Sequence, residues 1–220
     1  DPIARLERAS SLRNPRIPRP HALFLPQRDN SQGIDLGDPA ELADLASRLS
    51  AADRVGSWRA GPLIGGVEHD GGVTRQVMNP ARADQVIGRV VEADDTAVGQ
   101  AMTRASAAFD AWQARPAEAR AGLLEAWADA LEADAPHLIA LCIREAGKIL
   151  ADAHADIREA ADFCRYYAGQ LRQGWAGPRD LAGPTGEHNQ LSLHGRGVFV
   201  CISPWNFPVA IFTGQIAAAL

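Results

Sequence analysis

Val198-Phe199-Val200-Cys201-Ile202 is an uninterrupted apolar run between Gly197 and Ser203, and Ser203-Pro204-Trp205-Asn206-Phe207-Pro208 breaks the chain sharply behind it. The run has the pattern of a strand covered on both faces in a parallel sheet. Pro208 fits the first turn of a following helix, whose inward face is Ile211, Phe212, Gln215, Ile216 and Ala219. Strand, tight polar turn and helix in this order predict an α/β fold. In open α/β sheets such a turn lies at the carboxyl edge of the strands, where cofactors bind and where a helix start offers unpaired N–H groups to anions or developing charge.

Within the turn, Asn206 is the uncharged side chain that carries an NH₂ donor. Its amide can hydrogen-bond an oxygen that becomes negative during acyl chemistry, or it can cap the helix behind it. Trp205 either walls a cofactor site or fills core. Cys201, inside the apolar strand, is not read as a nucleophile, because a thiolate needs an electropositive, partly open setting.

Working back towards the amino terminus, Gln190 to His194 alternates polar and apolar residues as an exposed edge strand does, and His188 and His194 beside it read as surface histidines. From Ile149 to Arg172 the spacing predicts a long amphipathic helix with Ile157, Ala161, Cys164, Ala168 and Leu171 inward. Lys148, next to Gly147 at a helix stop, reads as a solvated cap. Two shorter helical stripes precede it, Leu124, Trp127, Leu131 up to Pro136 and then Leu138, Leu141, Cys142; a third, Val98, Met102, Ala105, Phe109, Trp112, follows the N-capping residues Asp94 to Thr96. Val73 to Met78 and Val86 to Val91 flank the turn-rich Asn79 to Asp84 and predict an antiparallel pair. Gly61 to Gly66 lacks both the Lys and Ser/Thr of a Walker loop and the spacing of a dinucleotide fingerprint, so it reads as a turn. Residues 1–55, with Pro15, Pro18 and Pro20 close together and helical spacing only from Pro39 to Leu49, read as a connector leading into a module over 56–220.

Composition limits the function classes. Twenty-two Lys plus Arg against 27 Asp plus Glu give a net charge of −5, which offers no basic face to a polyanion, so nucleic acid is not an expected ligand of this segment. Lys148 is the single lysine among those 22 cations and the one candidate for Schiff-base chemistry. Three cysteines without a CxxC pair point to a reducing compartment, taken here as the cytoplasm, and to no metal site. No stretch reaches the length of apolar sequence, about 20 residues, that spans a bilayer.

The hexapeptide 203–208 behind its Gly-Val-Phe-Val-Cys-Ile strand resembles the signature turn of the aldehyde dehydrogenase superfamily. The likeness extends over residues 78–220, through Met78-Asn79-Pro80, Ala108-Phe109-Asp110-Ala111-Trp112, Arg144-Glu145-Ala146-Gly147-Lys148 and Tyr166-Tyr167-Ala168 in the family order. Asn14-Pro15-Arg16-Ile17-Pro18, Asn30 to Leu36 and Phe207 to Gln215 resemble the bifunctional proline-catabolic enzymes of the proline utilization A group. The resemblance implies the amino-terminal part of an aldehyde dehydrogenase fold: helices plus the start of a Rossmann-like parallel sheet, with an oligomerisation hairpin at about 186–195. It implies NAD-dependent oxidation of L-glutamate γ-semialdehyde, the open form of pyrroline-5-carboxylate, to glutamate. It assigns Asn206 to the oxyanion, Ile202, Ser203, Pro204 and Trp205 to NAD, and Phe207 to the aldehyde pocket. FAD is expected only in a proline dehydrogenase module outside this chain; the full-length protein is expected to form a homo-oligomer, and any peripheral membrane contact of it is not visible here. The family's catalytic Cys and Glu match no residue of the sequence, so the chain is expected to be a fragment that is inactive alone. The competing readings are an aldehyde dehydrogenase of other substrate range and a non-catalytic scaffold segment.

Overall fold

The computed structural model describes residues 1–5, 14, 16–53, 56–174 and 176–220. Pro15 of the proline arm lies outside the described residues. Six α-helices longer than one turn are described: α1 Pro39–Ala52, α2 Asp95–Gln113, α3 Ala117–Ala133, α4 Ala135–Ala146, α5 Leu150–Gly174 and α6 Ala210–Ala219. Seven short strands accompany them, β1 Trp58–Ala60, β2 Leu63–Ile64, β3 Val67–Glu68, β4 Thr74–Asn79, β5 Arg82–Val91, β6 Arg179–Leu181 and β7 Asn189–Leu191.

The core is a layer of helices joined by small side chains. Ala121, Leu124, Ala128 and Leu131 of α3 meet Ala160, Ala161, Cys164, Ala168 and Leu171 of α5, and α6 adds Ala210 and Ala217 to the same cluster. Alanine at these positions lets the helix backbones approach closely while each Cβ still buries apolar surface. Ile139 and Cys142 of α4 form a second cluster with Ala153 and Ile157 at the amino end of α5. Between them Gly147, at φ 65°, ends α4 in the left-handed conformation that a side chain disfavours, and the chain reverses into α5.

Ion pairs cross the α3–α5 seam on its polar flank. The Arg165 guanidinium, 10 % exposed, donates to Asp129 at 2.8 Å and also to Glu132, and Arg172 reaches Glu118 at 2.7 Å and Glu125 at 2.5 Å. The segment ahead of the first strand is held against this layer. Leu45 of α1 is buried, the Ser31 N–H and hydroxyl donate to the two carboxylate oxygens of Asp162 at 2.7 and 2.8 Å, and Arg158 donates to the Ser31 carbonyl at 3.2 Å.

The main sheet has the order β1-β5-β4, with β1 parallel and β4 antiparallel to β5. Asn79 ends β4, accepting from the Ala81 N–H at 2.9 Å and donating to Gln85 at 2.7 Å, and register shifts there narrow the turn. Gly61 to Gly66 is a turn only at its end: Leu63 and Ile64 form β2, and Gly65 and Gly66, at φ 61° and 80°, form the two-residue connection between β2 and β3.

Three expectations are corrected. Val198 to Ile202 is extended but is not a strand, and Val200 and Ile202 stand in the open. A strand exists only as a pair, and among the described residues no neighbouring strand pairs with this segment, so the parallel pairing described is that of β1 with β5 alone. The α2 stripe is helical, but Val98 and Met102 are exposed and only Ala97 of that helix is buried. The hairpin is β6–β7, spanning 179–191, with Leu193 and His194 beyond its end; an edge strand needs its partner, and β6 supplies it further upstream than the alternation suggests.

Two glycines test the packing with opposite signs. A Cβ on Gly88 would lie 2.3 Å from the Trp58 carbonyl oxygen, a backbone atom that cannot swing aside, whereas Gly99 in α2 faces open space. Gly88→Ala should lose about 1–3 kcal/mol and Gly99→Ala should gain up to about 1 kcal/mol in urea unfolding. Equal effects would refute the β1–β5 register. Burial pushes the thiols of Cys142 and Cys164 up to about 11, and Cys201 is half-buried. Iodoacetamide at pH 8 should therefore label Cys201 well ahead of the other two, as read by mass spectrometry before and after unfolding.

Candidate active site

The turn between the extended segment and α6 is fixed at three points. Upstream, the Gln215 side chain of α6 donates to the Ile202 carbonyl at 3.0 Å. In the middle, the Lys148 ammonium donates to the Asn206 carbonyl at 3.1 Å. Downstream, the Ala210 N–H donates to the Asp156 carboxylate at 2.8 Å. Lys148 and Asp156 are joined in turn by an ion pair of 3.0 Å, with side-chain exposures of 10 % and 0 %. The Lys148 nitrogen also lies 4.5 Å from the centre of the Phe207 ring.

Lys148 is thus not the solvated cap that its place beside Gly147 suggests. Gly147 turns the chain so that the next side chain points back under the 203–208 turn, where a carboxylate, a carbonyl and an aromatic face take its donors and charge. Asp156 and Gln215 carry roles that the sequence reading leaves out. The available signal is Asp156 on the apolar stripe of α5, between Ala153 and Ala160, where an unpaired carboxylate would be costly.

The remaining residues of the turn face outward. Ile202 and Trp205 are 81 % and 82 % exposed, Asn206 is exposed, Ser203 is half-buried, and Phe207 shows one part of its ring. The cap alternative for Asn206 does not hold. The helix proper starts at Ala210 with Val209 at its N-cap position, and Asp156 from α5 satisfies the Ala210 N–H. Pro208 accordingly sits two residues ahead of the helix rather than in its first turn, because the bend needs two more residues before helical bonding begins with the Thr213 N–H donating to the Val209 carbonyl at 2.9 Å. The Asn206 carboxamide has no hydrogen-bond partner among the described residues. What the arrangement presents is a free amide donor on a backbone anchored from beneath, flanked by two flat apolar surfaces.

His188 and His194 are exposed, and among the described residues no group of three or more His, Cys, Asp or Glu could hold a metal ion. A separate groove of about 490 Å³ lies at the other end of α6, lined by Trp112, Arg120, Tyr166, Phe199 and Leu220 among others; the turn residues are not part of its wall.

Comparison with known proteins converges on one family. The model of the aldehyde dehydrogenase family matches residues 67–220. The bifunctional protein PutA of Klebsiella aerogenes is 42 % identical over 218 residues, which are 99 % of this chain and 16 % of that protein. A 1-pyrroline-5-carboxylate dehydrogenase of Anoxybacillus flavithermus is 41 % identical over 143 residues, 65 % of this chain and 28 % of its own length. Among solved structures, proline utilization A from Bdellovibrio bacteriovorus superposes with a TM-score of 0.83 at 33 % identity, covering 92 % of this chain and 21 % of that one. The 1-pyrroline-5-carboxylate dehydrogenase from Thermus with bound NAD gives a TM-score of 0.76 at 31 % identity, over 86 % of this chain and 36 % of that one. The chain spans about one sixth of the PutA proteins it matches. It has the architecture of part of an aldehyde dehydrogenase fold, and with the family model matching residues 67–220 the chain belongs to the aldehyde dehydrogenase family.

Proposed function

We propose that this chain is part of an NAD-dependent L-glutamate γ-semialdehyde dehydrogenase of proline catabolism, within a bifunctional protein that also carries an FAD-dependent proline dehydrogenase module. The match to PutA proteins over 99 % of the chain supports the bifunctional parent, and the 1-pyrroline-5-carboxylate dehydrogenases support the substrate. The observation that carries the site reading is the Asn206 carboxamide, exposed and unbonded on an anchored turn.

In this reading a cysteine thiolate attacks the aldehyde carbon. The C–S bond forms as the carbonyl π pair moves onto oxygen, and the Asn206 N–H groups donate to that oxyanion. The nucleophile lies outside these 220 residues: Cys142 and Cys164 are buried with thiols held far above neutrality, and Cys201 precedes the turn on the extended segment. The residues present fit one wall of a dinucleotide site. Ile202 and the Trp205 ring, in the same turn as the free amide, offer uncovered apolar surface, which suits a planar ring system. Ile202, Ser203, Pro204 and Trp205 would hold NAD there, and NAD when bound supplies the acceptor for the hydride that leaves the aldehyde carbon. Phe207 walls the aldehyde side, its ring steadied by Lys148.

Residues 1–55 serve as the connector into the module, and the β6–β7 hairpin is the surface through which the full-length protein forms a homo-oligomer. Three free cysteines support a cytoplasmic setting, and no described helix is long and apolar enough to cross a membrane.

In the full-length enzyme Asn206→Ala should lower kcat on the order of 10²- to 10³-fold without a change in melting temperature, since the side chain bonds to nothing in the fold. Unaltered turnover would sink the oxyanion role. The 220 residues on their own should give no NADH from pyrroline-5-carboxylate; measurable turnover would show that the nucleophile lies among Cys142, Cys164 and Cys201.

A further inference from the structure

The geometry points to Lys148 and Asp156 as positioning residues that set where the Asn206 amide sits, an inference that rests on the oxyanion reading above. Their contacts are too directed for a pair that only neutralises itself. Asp156 is wholly buried on α5, and each of its oxygens has one donor: Oδ2 takes the Lys148 ammonium at 3.0 Å and Oδ1 takes the Ala210 N–H at 2.8 Å. The second of these is one of the orphan N–H groups of the α6 start, so Asp156 supplies from another helix a bond that no side chain of the turn supplies. Lys148 then spends a second donor on the Asn206 carbonyl and places its charge 4.5 Å from the Phe207 ring centre. One ammonium thereby touches the main chain of the oxyanion residue and the side chain of the next.

The choice of lysine is itself informative. The chain meets its need for cations with arginine at every other position, and Lys148 is the one exception. A planar guanidinium fork suits a bidentate carboxylate, whereas a carboxylate, a carbonyl and a ring face arranged around one point suit a compact ammonium with three tetrahedral donors. The pair belongs to the reaction only through Asn206. It touches no substrate, and its effect is to deny the Asn206 backbone the freedom that would let the amide drift from the developing alkoxide. A displacement of about 1 Å at such a donor can cost on the order of 10²-fold in rate.

The test uses the full-length enzyme. Lys148→Met should lower kcat roughly ten- to a hundredfold while the KM values for NAD and aldehyde move less, and Lys148→Met combined with Asn206→Ala should be no slower than Asn206→Ala alone. Because Lys148→Met strands a buried carboxylate, the charge-neutral double variant Lys148→Met with Asp156→Asn is measured beside it; the carboxamide oxygen introduced by Asp156→Asn would still accept from the Ala210 N–H, so this variant should melt near the parent yet keep the kcat loss. Lys148→Arg should fail to restore turnover. A folded charge-neutral variant with parental kcat, or losses that multiply fully with Asn206→Ala, would overturn the inference, as would failure of both lysine variants to fold, which would make the pair a requirement of the core. If Asn206→Ala itself turns over normally, the oxyanion reading fails; if Asn206→Ala is impaired and the charge-neutral variant is not, only the positioning role fails.

Discussion

A carboxylate with no exposed surface has to be matched oxygen by oxygen or it unfolds its surroundings, and Asp156 is such a group. The partners it takes come from two places far apart in sequence, the α4–α5 junction at Lys148 and the first turn of α6 at Ala210. Satisfying one buried charge therefore joins three elements at a single point. Everything the turn 203–208 presents to solvent is referred to that point, because the turn is tied down by the cation on one side of Asp156 and by the N–H on the other.

The helical layer makes this junction possible. α3 and α5 meet through Ala121, Ala128, Ala160, Ala161 and Ala168, and α6 approaches closely enough that a Cβ on Gly214 would sit 2.9 Å from the Phe163 ring. Close backbones leave little volume for an ion pair, and the pair whose carboxylate is wholly buried is compact and fully bonded. Arg165 and Arg172 pair on the flank with Asp129, Glu132, Glu118 and Glu125, where the exposure of those carboxylates lowers both the cost and the worth of the pairs.

What can be read in advance follows from which interactions are local. The helices over 117–133, 135–146 and 150–174 are legible because their apolar stripes coincide with local stops, Pro116, Pro136 and Gly147, whose effect needs no tertiary partner. The β4–β5 pair is legible because a turn-rich segment joins two β-branched runs. Val198 to Ile202 is not, since hydrophobicity records how a strand is to be covered and pairing depends on a neighbour elsewhere. Val98 and Met102 make the same point for α2: periodicity names the face, and leaves open what lies on it. In the site, the turn and its donor are visible in 203–208 alone, while the place of Lys148 is not. Its neighbour Gly147 says that the chain reverses and gives no hint of which side the next residue faces, and the residue that holds Lys148 there, Asp156, is eight positions on, between Ala153 and Ala160 on the buried face of α5.

A division of labour between main chain and side chain then gives the turn its character. Asparagine near a helix start ordinarily uses its side chain to cap, which satisfies the helix and leaves nothing to donate elsewhere. Here the Ala210 N–H is taken by Asp156 and the Asn206 carbonyl by Lys148, so these demands of folding fall on backbone atoms and on residues outside the turn. The carboxamide is released from structural duty while the main chain that carries it is held. In the proposed oxyanion role, a donor on an anchored main chain that is unbonded before a charge develops needs little reorganisation when the charge arrives, which is the condition under which one hydrogen bond has a large effect on rate. On the same proposal the uncovered Ile202 and Trp205 have a use: apolar surface beside the donor would lower the local dielectric once a cofactor covers it, and strengthen the bond the donor then makes.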